Sequence, residues 1–171
     1  VTRLRLKIES DLCWGCKTCE VACKQENGAP TGVKLIEVWQ DGPKRTGAAS
    51  PEGAEAAPGA SATTEPGLSF RYRMRYCRHC REPKCLEACH YDAIEKRRDG
   101  IVVIDESFCA GCEACVTACP FDAVTFDRPR RVAVKCNLCH HRIDEGLLPA
   151  CADNVCLAHC ISLYGAEVEG A

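Results

Sequence analysis

The sequence predicts an α+β fold in which a short strand, a cysteine loop and a short helix recur. Three observations predict it. Cysteine supplies 17 of the 171 residues, about a tenth of the chain and far above ordinary usage. Those cysteines fall into four groups of related spacing. Short apolar runs lead into the later groups. Aromatic residues make up only 6%, so a chain of this length is poor in large side chains for a core. Something else must hold it together, and the cysteines offer disulfides or metal. Lys plus Arg is 22 and Asp plus Glu is 24. That balance excludes a polybasic nucleic-acid arm or an acidic tail as the main feature.

In chain order, residues 1–12 (VTRLRLKIESDL) contain no apolar h-region. No run approaches the roughly 18 apolar residues of a membrane helix. The expectation is a soluble, cytoplasmic chain with reduced thiols, which weighs against a disulfide scaffold. The first group is Cys13, Cys16, Cys19 and Cys23, spaced C-x2-C-x2-C-x3-C. Residues 33–39, VKLIEVW, read as a strand. Residues 42–67 are dominated by Gly, Ala, Pro, Ser, Thr and Glu. They read as a flexible insertion, a linker or long surface loop expected to drape over a partner subunit. Residues 69–76 alternate, with Phe70, Tyr72, Met74 and Tyr76 facing one way and Arg71, Arg73 and Arg75 the other. With Arg78 and Arg81 the arginines form a basic strip. It reads as a solvated strand face or as a docking patch for an acidic partner surface. The second group follows at once: Cys77, Cys80, Cys85 and Cys89. Residues 101–104 (IVVI) lead as a strand towards Cys109, Cys112, Cys115 and Cys119, and Pro120 closes that group. Residues 132–134 (VAV) lead into Cys136, Cys139, Cys151 and Cys156, with Cys160 beyond.

The third group is the C-x2-C-x2-C-x3-C-P run of bacterial iron–sulfur proteins, and the first lacks only the proline, replaced by Lys24. Three cysteines at x2 intervals place three thiolates around one cubane. The fourth, three residues on, is expected at the start of a helix leading away, so it ligates the neighbouring cubane. Such groups come in reciprocal pairs. Groups two and three are expected to pair, with Cys77, Cys80, Cys85 and Cys119 on one cluster and Cys109, Cys112, Cys115 and Cys89 on the next. Groups one and four pair likewise: Cys13, Cys16, Cys19 and Cys156 on a third cluster, and Cys136, Cys139, Cys151 and Cys23 on a fourth. Flanking residues support this register. Ala93-Ile94 and Ala123-Val124 stand four and five residues beyond Cys89 and Cys119, and Cys160-Ile161 stand likewise beyond Cys156. A competing register uses Cys156 and Cys160 as ligands and leaves Cys151 spare. The bland alternative to iron–sulfur clusters is zinc held by paired CxxC units, but zinc ribbons lack the triple run with a fourth cysteine at x3.

The runs CWGCKTCEVACK at 13–24, CRHCREPKCLEAC at 77–89, CAGCEACVTACP at 109–120 and KCNLCHHRIDEGLLPAC at 135–151 carry a resemblance. They resemble the four-cluster [4Fe-4S] ferredoxin-like electron-transfer subunits of molybdenum and tungsten oxidoreductases, over residues 1–40 and 69–165. Two departures stand out: His90 replaces the usual proline after Cys89, and one extra residue separates Cys151 from Cys156. The compact form is similar to the small subunit of tungsten aldehyde oxidoreductase, of the aldehyde ferredoxin oxidoreductase family, or of class II benzoyl-CoA reductase complexes. The resemblance implies a duplicated bacterial-ferredoxin-like fold of short strands, cysteine loops and short helices around four cubane clusters. It implies one unit over 1–171, with 1–40 and 125–165 holding the first cluster pair and 69–124 the second. The implied function is a one-electron relay between a tungsten- or molybdenum-pterin catalytic subunit and a flavin subunit or ferredoxin, in a hetero-oligomer. A free-standing polyferredoxin is the alternative.

No nucleophile–base pair, phosphate loop or dinucleotide fingerprint appears, so no organic catalytic site is expected. Trp14 and Phe121 are expected to shield clusters from water. The five histidines, His79, His90, His140, His141 and His159, read as local polar residues, with a histidine ligand weighed only for the irregular fourth group.

Overall fold

A computed structural model describes residues 3–46 and 67–165. The chain begins with β1 (Arg5–Ile8), and a 3-10 turn at Ser10–Leu12 then enters the first cysteine group. Helix α1 (Thr18–Glu26) follows, then β2 (Ile36–Thr46) and β3 (Gly67–Tyr76). Next come α2 (Lys84–Glu87), β4 (Ile94–Lys96), β5 (Val102–Ile104) and α3 (Ala114–Ala118). The chain continues through β6 (Val124–Asp127), β7 (Val132–Lys135), α4 (His140–Asp144) and β8 (Ile161–Tyr164).

The strands form antiparallel pairs, β2 with β3, β4 with β5, β6 with β7 and β1 with β8. Each pair joins the strand leaving one cysteine group to the strand entering the next, and β8 on β1 closes the circuit from the fourth group to the first. The result is a small α+β molecule of short strands and short helices. Apolar residues at the strand ends fill the centre: Val38, Ile101 and Val102 are fully buried, as is Leu138 of the fourth cysteine group. Among the described residues no helix is long and apolar enough to cross a membrane.

Several expectations change. The strand read at 33–39 begins at Ile36 and runs on to Thr46: after an irregularity at Gly42 and Pro43, Lys44, Arg45 and Thr46 pair with Ser69, Leu68 and Gly67 of β3, so these residues are not linker. The remainder of the expected insertion, residues 47–66, lies outside the described residues. On β3, Tyr72, Met74 and Tyr76 turn inward as the alternation predicts, but Phe70 is exposed because the hairpin runs beyond the body of the protein there. The basic strip is partly neutralised by β2: Arg75 bonds Glu37 at 2.6 Å and Arg73 bonds Asp41 at 2.8 Å. Arg78 stacks on the Tyr76 ring, 4.3 Å from its centroid.

The fourth cysteine of a group does not start a helix. The third one lies within it, as Cys19, Cys85 and Cys115 do in α1, α2 and α3. Cys119 caps the C-terminal end of α3, and Cys89 follows α2. These helices of four and five residues fit between two cysteines and end where the chain must turn back into a strand.

Candidate functional site

The four CxxC loops share one backbone shape. The residue before the second cysteine has positive φ in every loop: Gly15 at 70°, His79 at 46°, Gly111 at 71° and Leu138 at 55°. Glycine is needed at two of these. A Cβ on Gly111 would stand 2.6 Å from the Arg131 carbonyl oxygen, and one on Gly15 would enter the Tyr72 ring. The turn aims backbone N–H groups at sulfur. Gly15 N–H donates to Cys13 Sγ and His79 N–H to Cys77 Sγ, each at 3.4 Å. Ala133 on β7 and Ala123 just before β6 do the same, from Ala133 N–H to Cys109 Sγ and from Ala123 N–H to Cys119 Sγ, again at 3.4 Å.

All seventeen cysteines are free thiols. Many of them are close neighbours, and four neighbourhoods can be traced as sets. Burial pushes Cys19 up to about 12, and neighbouring Cys156 and Cys13 add to the shift. Cys16 joins this set through its contact with the Leu157 backbone. Burial likewise raises Cys23, with Cys136 and Cys139 adding to it, and raises Cys151 beside Cys136, Cys23 and Cys139. Cys77 and Cys119 add to the rise of both Cys80 and Cys85, again behind burial. Burial pushes Cys115 up to about 11, with Cys109 and Cys112 contributing. Those three thiols line one small cavity with Cys89, walled by Tyr91, Ile94 and Ile104.

The sets form a row. Cys19 and Cys23, one turn apart on α1, join the first set to the second. Cys136 beside Cys77 joins the second to the third, and Cys115 beside Cys85 joins the third to the fourth. The two exposed cysteines, Cys16 and Cys112, belong to the two end sets.

In the fourth group His159, three residues beyond Cys156, has φ 47°, close to Asp92 at 51° and Asp122 at 49°, which stand three residues beyond Cys89 and Cys119. Cys160, like Ala93 and Ala123 at the next position, is buried. Its sulfur lies 3.5 Å from Cys156 Sγ.

Other expected residues fall differently. Trp14 is 65% exposed and Phe121 is 46% exposed. Neither is sealed over a thiol set, because both sit on outward loops next to their cysteines. His79 is not a local polar residue: it is fully buried, and its Nδ1 accepts the Val102 N–H at 3.0 Å. Burial holds it down to about 2, and the Lys135 and Arg3 charges add to that. Two residues near the thiols escaped the sequence reading. They are the buried Lys135 and Asn27, whose amide reaches Cys23 Sγ at 3.7 Å and Cys139 Sγ at 3.9 Å. Lys135 stood in the quoted run before Cys136, and nothing in its composition marked it as buried.

Neighbouring cysteine sulfurs, backbone donors directed at them and apolar walls suit thiolate-ligated iron–sulfur clusters. Fold and thiol sets together define an iron–sulfur protein. The family comparison agrees: a 4Fe-4S dicluster domain model matches residues 68–165, and a 4Fe-4S binding domain model matches residues 10–32. The chain belongs to the 4Fe-4S dicluster domain family and binds 4Fe-4S clusters. It is 33% identical to the iron-sulfur subunit of a putative dimethyl sulfoxide reductase of Halobacterium salinarum, over 90% of this chain and 63% of that one. It is 36% identical to a tetrathionate reductase subunit of Salmonella typhimurium, over 89% and 54%. It is 34% identical to a polysulfide reductase subunit of Wolinella succinogenes, over 84% and 66%. The chain thus spans between about half and two thirds of the length of these relatives.

Proposed function

We propose that this chain is the electron-transfer iron–sulfur subunit of a molybdenum- or tungsten-pterin oxidoreductase. The observation that carries the reading is the chain of neighbouring, mostly buried thiols with Cys16 and Cys112 exposed; it supports four ligand sets in a row with an outward thiol at each end. When bound, a cubane takes up and returns one electron, and the protein sets its position and surroundings. Cys13, Cys16, Cys19 and Cys156 are assigned to the first cluster, and Cys23, Cys136, Cys139 and Cys151 to the second. Cys77, Cys80, Cys85 and Cys119 hold the third, and Cys89, Cys109, Cys112 and Cys115 the fourth, in a duplicated ferredoxin-like arrangement. Cys160 is the spare thiol.

The ends of the row favour a complexed subunit over a freely diffusing carrier. Leu12, Trp14 and Leu157 stand exposed beside the first set, and Tyr91 and Phe108 beside the last. Large apolar side chains clustered around an outward thiol mark surfaces that a partner covers. One end receives the pterin subunit and the other a flavin subunit or ferredoxin. The named relatives favour a reductase of the dimethyl sulfoxide or polysulfide type as the assembly. A tungsten aldehyde enzyme is the other candidate assembly, and the cytoplasm is the proposed location.

The test is anaerobic purification with its native partners. About 16 iron atoms per chain, by the four-cubane count, electron paramagnetic resonance signals after dithionite, and a co-purifying protein carrying molybdenum or tungsten are expected. A small, isolated brown protein would favour the diffusing polyferredoxin. A colourless protein carrying zinc would overturn the reading.

A further inference from the structure

Lys135 ends β7 and is only 5% exposed. Its ammonium donates to the Val102 carbonyl and, at 3.2 Å, to the Cys136 carbonyl. Those bonds satisfy two of its three protons. They do not balance its charge, and it has no carboxylate partner among the described residues. A buried, unpaired ammonium is costly unless an anion lies nearby.

The surroundings sharpen the requirement. The residue whose carbonyl accepts from Lys135 also holds His79: the Val102 N–H donates to its Nδ1. The ring proton therefore sits on Nε2, which is buried and has no partner. Arg3 Nε is likewise buried and unpartnered, and the Arg3 stem lies over Gly100, where a Cβ would meet it at 2.4 Å. The nearby Asp99 carboxylate is already committed to Arg97, at 3.1 Å, and to the Ile101 N–H, at 3.0 Å. Arg3 Nη2, however, donates to the Arg78 carbonyl at 3.3 Å, and His79 is neutral, so of these three groups only Lys135 is a buried charge without a carboxylate partner among the described residues. Around them are the thiols of the second and third sets: Cys85 and Cys136 feel the Lys135 charge, and Cys80 that of Arg3. Val102 itself packs with Cys85 and Cys115.

We propose that Lys135 is the built-in counter-charge of the two inner clusters and raises their reduction potentials. The inference rests on the four-cluster reading above and goes beyond it by naming the residue that sets the energy levels in mid-row. A fixed cation beside a cluster stabilises the more negative, reduced form. Lys135 is therefore a positioning residue for charge rather than a ligand.

The experiment uses the full chain, purified anaerobically with its partners, and compares wild type with Lys135→Gln and Lys135→Arg. The readouts are iron per chain and a redox titration followed by electron paramagnetic resonance. Lys135→Gln is expected to keep its iron while one or both inner clusters become harder to reduce. The expected change is at least about tenfold in the reduction equilibrium, which is about 59 mV for one electron. Lys135→Arg is expected to restore the wild-type value. Loss of iron in Lys135→Gln with retention in Lys135→Arg also supports the counter-charge, because charge and not shape then holds the cluster. Unchanged potentials in a fully loaded Lys135→Gln, or iron loss in both variants, would overturn the proposal. A wild-type protein without iron or resonance signals would instead remove the four-cluster reading itself.

Discussion

Gly111→Ala, set against Gly146→Ala, tests whether the CxxC loop geometry is what holds the end cluster. Both glycines have left-handed backbone, φ 71° and 78°. A side chain there costs about 1–2 kcal/mol in either place. They differ in what a methyl group would meet. At Gly146 nothing stands within 4 Å, whereas at Gly111 the Cβ would be 2.6 Å from the Arg131 carbonyl oxygen. A backbone oxygen at the end of the β6–β7 hairpin cannot swing aside as a side chain would. Overpacking of that kind adds about 1–3 kcal/mol. The totals are about 1–2 kcal/mol for Gly146→Ala and about 2–5 kcal/mol for Gly111→Ala. For a domain of this size 1 kcal/mol moves a thermal midpoint by about 2–4 °C. The assay is anaerobic heating with loss of the visible absorbance as the readout. Gly146→Ala should bleach a few degrees below wild type and Gly111→Ala roughly twice as far below. Equal midpoints for the two variants would refute the steric argument.

Three further outcomes are expected. Cys160→Ala should keep the full iron content, whereas Cys156→Ser should lose the first cluster and its resonance signal; the reverse result would exchange the two roles. Asn27→Ala removes an amide donor from Cys23 and Cys139, so redox titration should find the second cluster harder to reduce, since hydrogen bonds to sulfur raise the potential. Glu26 on α1 bonds His141 at 2.7 Å and Arg142 at 3.2 Å on α4, and the His141 bond leads the causes that hold its carboxyl below its ordinary 4.5. A lowered carboxyl value stabilises above about pH 4.5 and is lost as the pH falls through the folded value. Stopped-flow bleaching should therefore speed up below that pH less in Glu26→Gln than in wild type, because the variant has no such contribution to lose.

Local chemistry was legible in the sequence and distant packing was not. The CxxC loops, the apolar runs at 101–104 and 132–134 and the alternation before Cys77 are written over a few residues each, so their form follows from spacing and turn chemistry. The extension of β2 through Asp41, Gly42, Pro43, Lys44 and Arg45 contradicts local propensity and exists because β3 pairs with it. His79 and Lys135 both bond to the backbone of one residue, Val102, which is 23 residues from the first and 33 from the second. No window of sequence contains that geometry. The position of the fourth cysteine failed for a related reason: spacing gives the interval but not whether the intervening turn of helix precedes or follows it.

The packing of the protein explains why such charges are tolerable at all. One buried group consists of Cys85, Ile94, Val102, Cys115, Val124 and Ala133, and another of only Cys77, Ala123 and Cys136. These are small side chains with few carbon atoms to remove from water, so area burial alone gives them little cohesion. Burial and neighbouring thiols both disfavour ionised sulfur at these positions. Bound iron would offset that cost, which ties cluster insertion to folding. Lys135 fits that logic from the other side. An ammonium buried before its anion is present destabilises the empty protein and stabilises the loaded one, so the same residue that tunes a potential also biases the chain towards its iron-bound state.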